Sequence, residues 1–229
     1  HIEAMWVYLD DGSKARPPLG VGKAYIPLTP EKTAIIYRNF IDGAGPRGIA
    51  VGYPEKAHLA FDANDLRIAM IWQGLFIDAA RHWTDRGSGF EGPLGDNVVR
   101  MAKGPTFAVL QTEKSAWPGS GKDAGQRFKG YKLSKDDRPT FLYAVGDVSV
   151  EDFPNAVVRN KDKDAGIERV LTLKSDKAPD NLYLRAAVGN KVEAQKDGWF
   201  KIDDAYRLKF TGTNGKIFIR KSNGKEELI

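Results

Sequence analysis

The chain has 229 residues, 41% of them hydrophobic and 28% charged, enough apolar content for one large globular domain or two small ones. No run approaches the ~20 apolar residues of a membrane-spanning helix, and 35 Lys/Arg interspersed with 30 Asp/Glu (net charge +5) lack the dense basic footprint of a nucleic-acid binder. The absence of cysteine excludes disulfides, thiolate catalysis, Cys-ligated zinc and covalently attached haem within this chain.

The chain opens on His1 rather than Met, as a processed product or a piece of a longer one does. In HIEAMWVYLDDG, Ile2, Met5, Trp6 and Leu9 fall at helical spacing, which predicts a short amphipathic helix over residues 1–12, stopped by Gly12. So short a helix is unstable in water unless it docks on another surface. Prolines at 17, 18, 27 and 30 give residues 13–32 the composition of a semi-rigid linker, and a domain boundary is expected there.

From residue 33 to residue 229 the helical period disappears. Short β-rich runs at 33–38, 47–53, 57–62, 66–72, 106–111, 128–133, 140–150, 167–174, 181–188, 199–202, 205–211 and 216–221 are separated by Gly, Pro, Asn and Asp. Several alternate apolar and polar residues, as in a strand with one buried and one wet face. Residues 76–83 (FIDAARHW) fit a short helix or a strand equally well. Asn214-Gly215 is the dipeptide of a type I′ hairpin, and Asn190-Lys191 and Asp197-Gly198 suggest further turns. The expected fold is all-β, an antiparallel β-sandwich or supersandwich, preceded by the helix and the Pro-rich linker.

The stretch from Asp62 to Asn97 leaves the core pattern after Trp72. Asp78, Arg81, His82, Trp83, Asp85, Arg86, Phe90 and Glu91 follow, spaced by Gly74, Gly87, Gly89, Gly92 and Gly95. Charged and aromatic groups on a Gly-rich loop are the raw material of a binding or catalytic surface. His82, with Asp78 and Asp85 nearby in sequence, is a candidate general base oriented by a carboxylate; its plain alternative is a structural histidine holding a turn. Asp78 and Glu91 form a candidate acid/base pair. Arg81, Trp83, Asp85, Arg86 and Trp117 are candidate ligand-binding residues, the tryptophans through a large apolar face, whereas Trp72 in IAMIW reads as core. Asp62, Asn64 and Asp65 resemble half of a calcium loop without the glycine and distal Glu that would complete it, and no metal site is assigned. No nucleophile motif is present, and the GSGK at 119–122 lacks the full phosphate-loop pattern.

Residues 38–97 (RNFIDGAGPRGIAVGYPEKAHLAFDANDLRIAMIWQGLFIDAARHWTDRGSGFEGPLGDN), with FKGYKLSKDDRPTFLYAVGDVSVED and IERVLTL further on, resemble the β-rich module of large exported multidomain proteins that also carry a c-type cytochrome domain with a CxxCH haem motif. HIEAMWVYLDDG is similar to the closing helix of a class I cytochrome c domain. The resemblance implies a periplasmic or otherwise exported protein in an electron-transfer or oxidoreductase setting, with a link to sugar degradation. It also implies haem c on a preceding cytochrome c domain of the same protein, and no cofactor in this chain. The leading expectation is an accessory ligand- or partner-binding module. The runner-up is a carbohydrate-binding or carbohydrate-active domain that uses loop 74–97, and the third is an interaction domain with that loop at an interface.

Overall fold

The computed structural model describes residues 25–84, 89–158, 165–177, 179–213 and 215–229, together with the backbone pairing of residues 2–9. Among the described residues strand accounts for 54% and helix for 4%, which makes the fold all-β with sandwich-like packing.

Two antiparallel sheets carry the architecture. The larger has eight strands, in the spatial order Gln126–Leu133, Pro139–Val145, Val148–Val158, Ala165–Lys174, Ile2–Leu9, Tyr206–Thr211, Trp199–Ile202 and Val192–Ala194. The smaller has five: Ile35–Ile41, Gly45–Gly52, Ala57–Asp62, Arg67–Gln73 and Asp96–Arg100. A common apolar core joins them, with Leu59, Phe61 and Ile71 from the smaller sheet among Phe141, Tyr143, Ile167 and Leu171 from the larger. At its centre Phe61 and Phe141 stack with ring centroids 3.9 Å apart and an interplanar angle of 9°.

The five-stranded sheet is covered on its other face too. Every residue from Ala57 to Asp62 is buried, because alternate side chains enter two different cores: Leu59 and Phe61 face the large sheet, while Ala60, with Ala50, Met70 and Trp72, belongs to a second core closed by Phe76, Ile77 and Ala79. That second core is the platform on which the 76–97 loop lies.

The N-terminal segment corrects the sequence reading. Residues 2–9 form a strand, not a helix, and pair with both Ala165–Lys174 and Tyr206–Thr211. Ile2, Trp6, Val7 and Tyr8 are strong strand formers, and two neighbouring edges offer hydrogen bonds along both sides of the strand, so tertiary pairing overrides a helical spacing that rests on four residues. The segment is thus a strand of the large sheet. The linker is corrected in its second half. Pro27–Leu28 pairs with Ile77–Asp78, a short two-stranded ribbon in which the missing proline N–H is tolerated, and Ile26 and Leu28 pack against the second core. Residues 13–24 lie outside the described residues.

Elsewhere most of the expected runs are strands with shifted ends. The run 181–188, however, splits into Leu182–Leu184 and Ala187–Gly189 in different sheets, and Asp96–Arg100, Val192–Ala194 and Lys225–Leu228 fall outside the expected runs. The run 140–150 divides at Gly146-Asp147, a two-residue hairpin across which Val145 pairs with Val148. Residues 76–83 divide into a strand, Ile77–Asp78, and a one-turn helix, Ala80–Trp83. Asn214 lies outside the described residues, and Tyr206–Thr211 pairs with other strands rather than across that turn. The Asn-Gly hairpin that does form is Asn223-Gly224, with φ of 50° and 73°, joining Ile219–Ser222 to Lys225–Leu228.

Candidate functional site

The loop that leaves the five-stranded sheet at Gln73 turns at Gly74, whose φ of +89° favours glycine. It returns past Gly95, where a Cβ would lie 1.8 Å from the Gln73 carbonyl oxygen. Between these points the chain makes the Ile77–Asp78 strand, the helix Ala80–Trp83 and an extended return through Glu91, with residues 85–88 outside the described residues.

Asp78 is a structural cap. Its Oδ1 accepts hydrogen bonds from the Ile26 N–H (2.8 Å) and the Ala80 N–H (3.0 Å), tying the short ribbon to the first turn of the helix. At the other end the Thr84 hydroxyl donates to the Ala80 carbonyl at 2.7 Å. Four residues cannot hold a helix by themselves; these side-chain bonds and the buried Ala80 do.

His82 joins the helix to the sheet and to the return strand. Its Nε2 is 3.3 Å from the Gly89 carbonyl oxygen and its Nδ1 is 2.8 Å from the Tyr37 hydroxyl. A carbonyl only accepts, so Nε2 carries the proton, and in the neutral ring Nδ1 accepts from Tyr37. Both nitrogens are engaged inside the protein, as in a histidine that holds a turn. Tyr37 lies in the second core, receives a further bond from the Asn39 amide (3.3 Å), and stacks on His82 with centroids 6.3 Å apart. Burial raises the Tyr37 pKa, and the negative charge of Glu91 adds to the effect.

Glu91 is buried beside the helix. Its backbone bonds to Phe40 and Asp42, its Oε1 accepts from the Gly92 N–H at 3.2 Å, and its Oε2 lies 3.4 Å from Arg81 Nε. Burial pushes its pKa up, while Arg81 and the Gly92 N–H pull it down. Asp78 and Glu91 therefore lie in one electrostatic neighbourhood, but each carboxylate is held by its own partners.

Two aromatic side chains of the loop, Trp83 and Phe90, and Phe40 of the strand Ile35–Ile41 point outward. Trp83 is 59% exposed, and Phe40 and Phe90 are 47% and 49% exposed. Phe40 and Phe90 meet edge to face at 5.9 Å, and Tyr37 touches the Trp83 ring at 6.2 Å. Trp83 against Tyr37, and the Phe40–Phe90 pair, are the exposed aromatics here, and Arg81, whose side chain is half exposed, lies beside Glu91. Tyr37 and Phe40 were not singled out from the sequence. Their only signal was that IIYRNFI presents aromatics on both phases of a strand.

Asp85 and Arg86 lie outside the described residues. Trp117 is not one of these exposed aromatics: its Nε1–H donates to the Pro105 carbonyl at 2.8 Å, and Arg185 and Arg220 lie over its ring at 4.9 and 5.9 Å. Covered by two guanidinium groups that both bind Glu227, it is a structural residue with little ring left for a ligand.

The turn that resembled half a calcium loop is closed by its own hydrogen bonds. Asp62 Oδ1 accepts from the Asn64 and Asp65 N–H groups (2.9 and 3.3 Å), and Asp62 Oδ2 lies 3.4 Å from Arg67. His58 uses both nitrogens, one accepting from the Tyr53 N–H and the other bonded to the Gly74 carbonyl, each at 3.0 Å. Among the described residues no three His, Asp or Glu side chains form a group able to hold a metal ion, and no helix is long and apolar enough to cross a membrane.

No family model matches the chain, and no curated protein or solved structure does so either.

Proposed function

We propose that the chain is a non-catalytic binding module and that its ligand meets the exposed aromatics Trp83, Phe40 and Phe90. The observation that carries this reading is the contrast between the two kinds of residue on the loop. The groups able to do chemistry are turned inward and engaged within the protein: Asp78 by two backbone N–H groups, His82 by Tyr37 and Gly89, and Glu91 by the Gly92 N–H on Oε1 and the Arg81 charge 3.4 Å from Oε2, although that oxygen accepts no hydrogen bond. The groups able to bind are turned outward, Trp83 against Tyr37 and Phe40 against Phe90, and such contacts lower the entropic cost of association.

A carbohydrate is the ligand class best suited to Trp83. A sugar ring stacks its C–H face on an exposed indole while its hydroxyls reach polar neighbours such as Arg81. The test is a titration with an oligosaccharide panel, read by tryptophan fluorescence in the wild type and in Trp83→Ala. A saturable change that disappears in Trp83→Ala supports the reading, and no Trp83-dependent response to any sugar overturns it.

The Phe40–Phe90 pair favours a second reading, a protein partner, because exposed apolar groups rimmed by polar ones mark docking surfaces. The resemblance points to an exported, periplasmic setting and to a haem-c-bearing cytochrome c domain of the same polypeptide as that partner. This setting rests on the likeness over most of residues 33–229. Binding of a c-type cytochrome domain that is lost in Phe40→Ser and Phe90→Ser, with sugars inert, would favour it over the first reading.

A further inference from the structure

Three arginines from three parts of the fold line one small cavity. Arg67 comes from the five-stranded sheet, Arg169 from the eight-stranded sheet, and Arg185 from the connection between Leu182–Leu184 and Ala187–Gly189. The cavity has a volume of about 40 Å³, and Ile71, Thr106 and Tyr206 complete much of its wall. No carboxylate is among the described residues that line it. The counter-charges lie behind the arginines: Asp62 and Asp65 on Arg67, Asp152 on Arg169, and Glu227 on Arg185. Glu227 is also shared with Arg220, so two guanidinium groups depend on one carboxylate at that end.

Arg67 supplies a second, independent observation. Its residue is 5% exposed, its Nη groups donate to the carbonyls of Gly43 and Ala102 (2.8 and 3.2 Å), yet its buried Nε has no hydrogen-bond partner. The nearest carboxylate oxygen, Asp65 Oδ2, is 3.9 Å away. An unsatisfied buried donor on a cation is costly. Burial also lowers the Arg185 pKa, Glu227 opposes this, and the charges of Arg220 and Arg67 add to it.

We propose that this cavity is a binding site for a small monovalent anion of the halide class, which bridges the two sheets through Arg67, Arg169 and Arg185. The space corresponds to a few water-sized spheres, at ~10–15 Å³ each, enough for one monatomic ion with a water beside it. A water accepts at most two hydrogen bonds, whereas a monatomic anion can accept from all three guanidinium groups and adds negative charge where Arg185 and Arg220 share one carboxylate.

The test compares thermal unfolding of the whole chain in sodium bromide, sodium chloride and sodium gluconate at equal ionic strength, with a bromide-soaked crystal for anomalous scattering. Gluconate is too large for the cavity. Occupancy of the folded state by halide predicts a melting temperature about 2–4 °C higher than in gluconate, saturating with concentration. It also predicts a bromide peak among the three guanidinium groups. In Ala102→Leu, which fills the cavity with an apolar side chain, the halide increment is expected to vanish. Equal melting temperatures in the three salts, or bromide found only on exposed lysines as an adventitious ion only, would overturn the proposal. Should Ala102→Leu fail to fold, the bromide map of the wild-type protein decides by itself.

Discussion

Asp152 and Arg169 form an ion pair in the middle of the sandwich, and removing one partner makes a sharp test of how that core is held. Asp152 is fully buried and Arg169 is 4% exposed. Arg169 Nε donates to Asp152 Oδ1 at 2.8 Å and its Nη2 donates to Oδ2, which also accepts from the Tyr143 hydroxyl at 3.1 Å. The pair lies on adjacent strands whose neighbours, Val150, Ala156, Ile167 and Leu171, are core. Asp152→Ala leaves the Arg169 charge with only neutral hydroxyls, Thr106 at 3.4 Å and Tyr143, in place of a carboxylate. Breaking a buried pair from one side costs ~3–5 kcal/mol. At ~2–4 °C per kcal/mol for a chain of this size, the melting temperature should fall by about 6–20 °C. Replacing both members with apolar groups, Asp152→Leu with Arg169→Met, should recover most of the loss, because the desolvation cost of both charges disappears with them. The assay is urea unfolding in halide-free buffer by circular dichroism and tryptophan fluorescence, with comparison at unchanged m-value. A loss below ~1 kcal/mol in the single variant, or a double variant no more stable than the single one, would refute the reasoning about the cost of an unpaired buried charge.

Four further outcomes are expected. Burial lowers the His58 pKa to about 4, with a smaller opposing contribution from its bond to Gly74. The folded state therefore binds fewer protons than the unfolded state between that value and the ordinary ~6.5, so this stability is fully present above pH ~6.5 and is lost as pH falls toward 4, by about 3 kcal/mol in total; His58→Gln should flatten the profile in that window, and an unchanged slope would count against it. Gly95→Ala places a Cβ against the backbone oxygens of Gln73 and Leu75 and should cost about 3 kcal/mol or more, seen as a large loss in chemical denaturation. Tyr37→Phe removes the hydroxyl on His82 and should cost ~1–3 kcal/mol, with faster amide hydrogen exchange over residues 80–91 than over the second core beneath them. Trp83→Ala, at an exposed position, should change stability by no more than ~0.5 kcal/mol while removing the binding response; a large destabilisation would show that the ring is structural.

The fold class was legible because it depends on many short β-rich runs, and no single misread residue alters it. The loop at 74–97 was legible as a departure from the core pattern because a core has no use for Arg81 and Trp83 beside repeated glycines. What the sequence hid were facts of pairing. Residues 2–9 carry a four-residue helical spacing, but the two open edges that recruit them are formed by residues more than 150 positions away. Trp117 looked like a ligand-stacking residue because its sequence neighbours are polar; the arginines that cover it come from positions 185 and 220. One buried feature left a trace that was readable. Arg169 shares the inward phase of Ile167 and Leu171, and Asp152 that of Val150 and Ala156, so two opposite charges occupy core positions on strands that alternation alone would pair. Asp78, His82 and Glu91 were correctly grouped on one loop, but residue types say nothing about which way a carboxylate or an imidazole faces.

The place of residues 2–9 in the large sheet also bears on how the chain reaches its native state. The strand is made before its partners, which span residues 165–174 and 206–211, so its hydrogen bonds on both sides cannot form until residue 211 has been made. Contacts of such long sequence separation slow folding. Until they form, Ala165–Lys174 and Tyr206–Thr211 are two open edges of two separate half-sheets, the kind of surface on which chains associate wrongly. The strand therefore acts as a late-inserted keystone, and refolding yield should depend on protein concentration until it is in place.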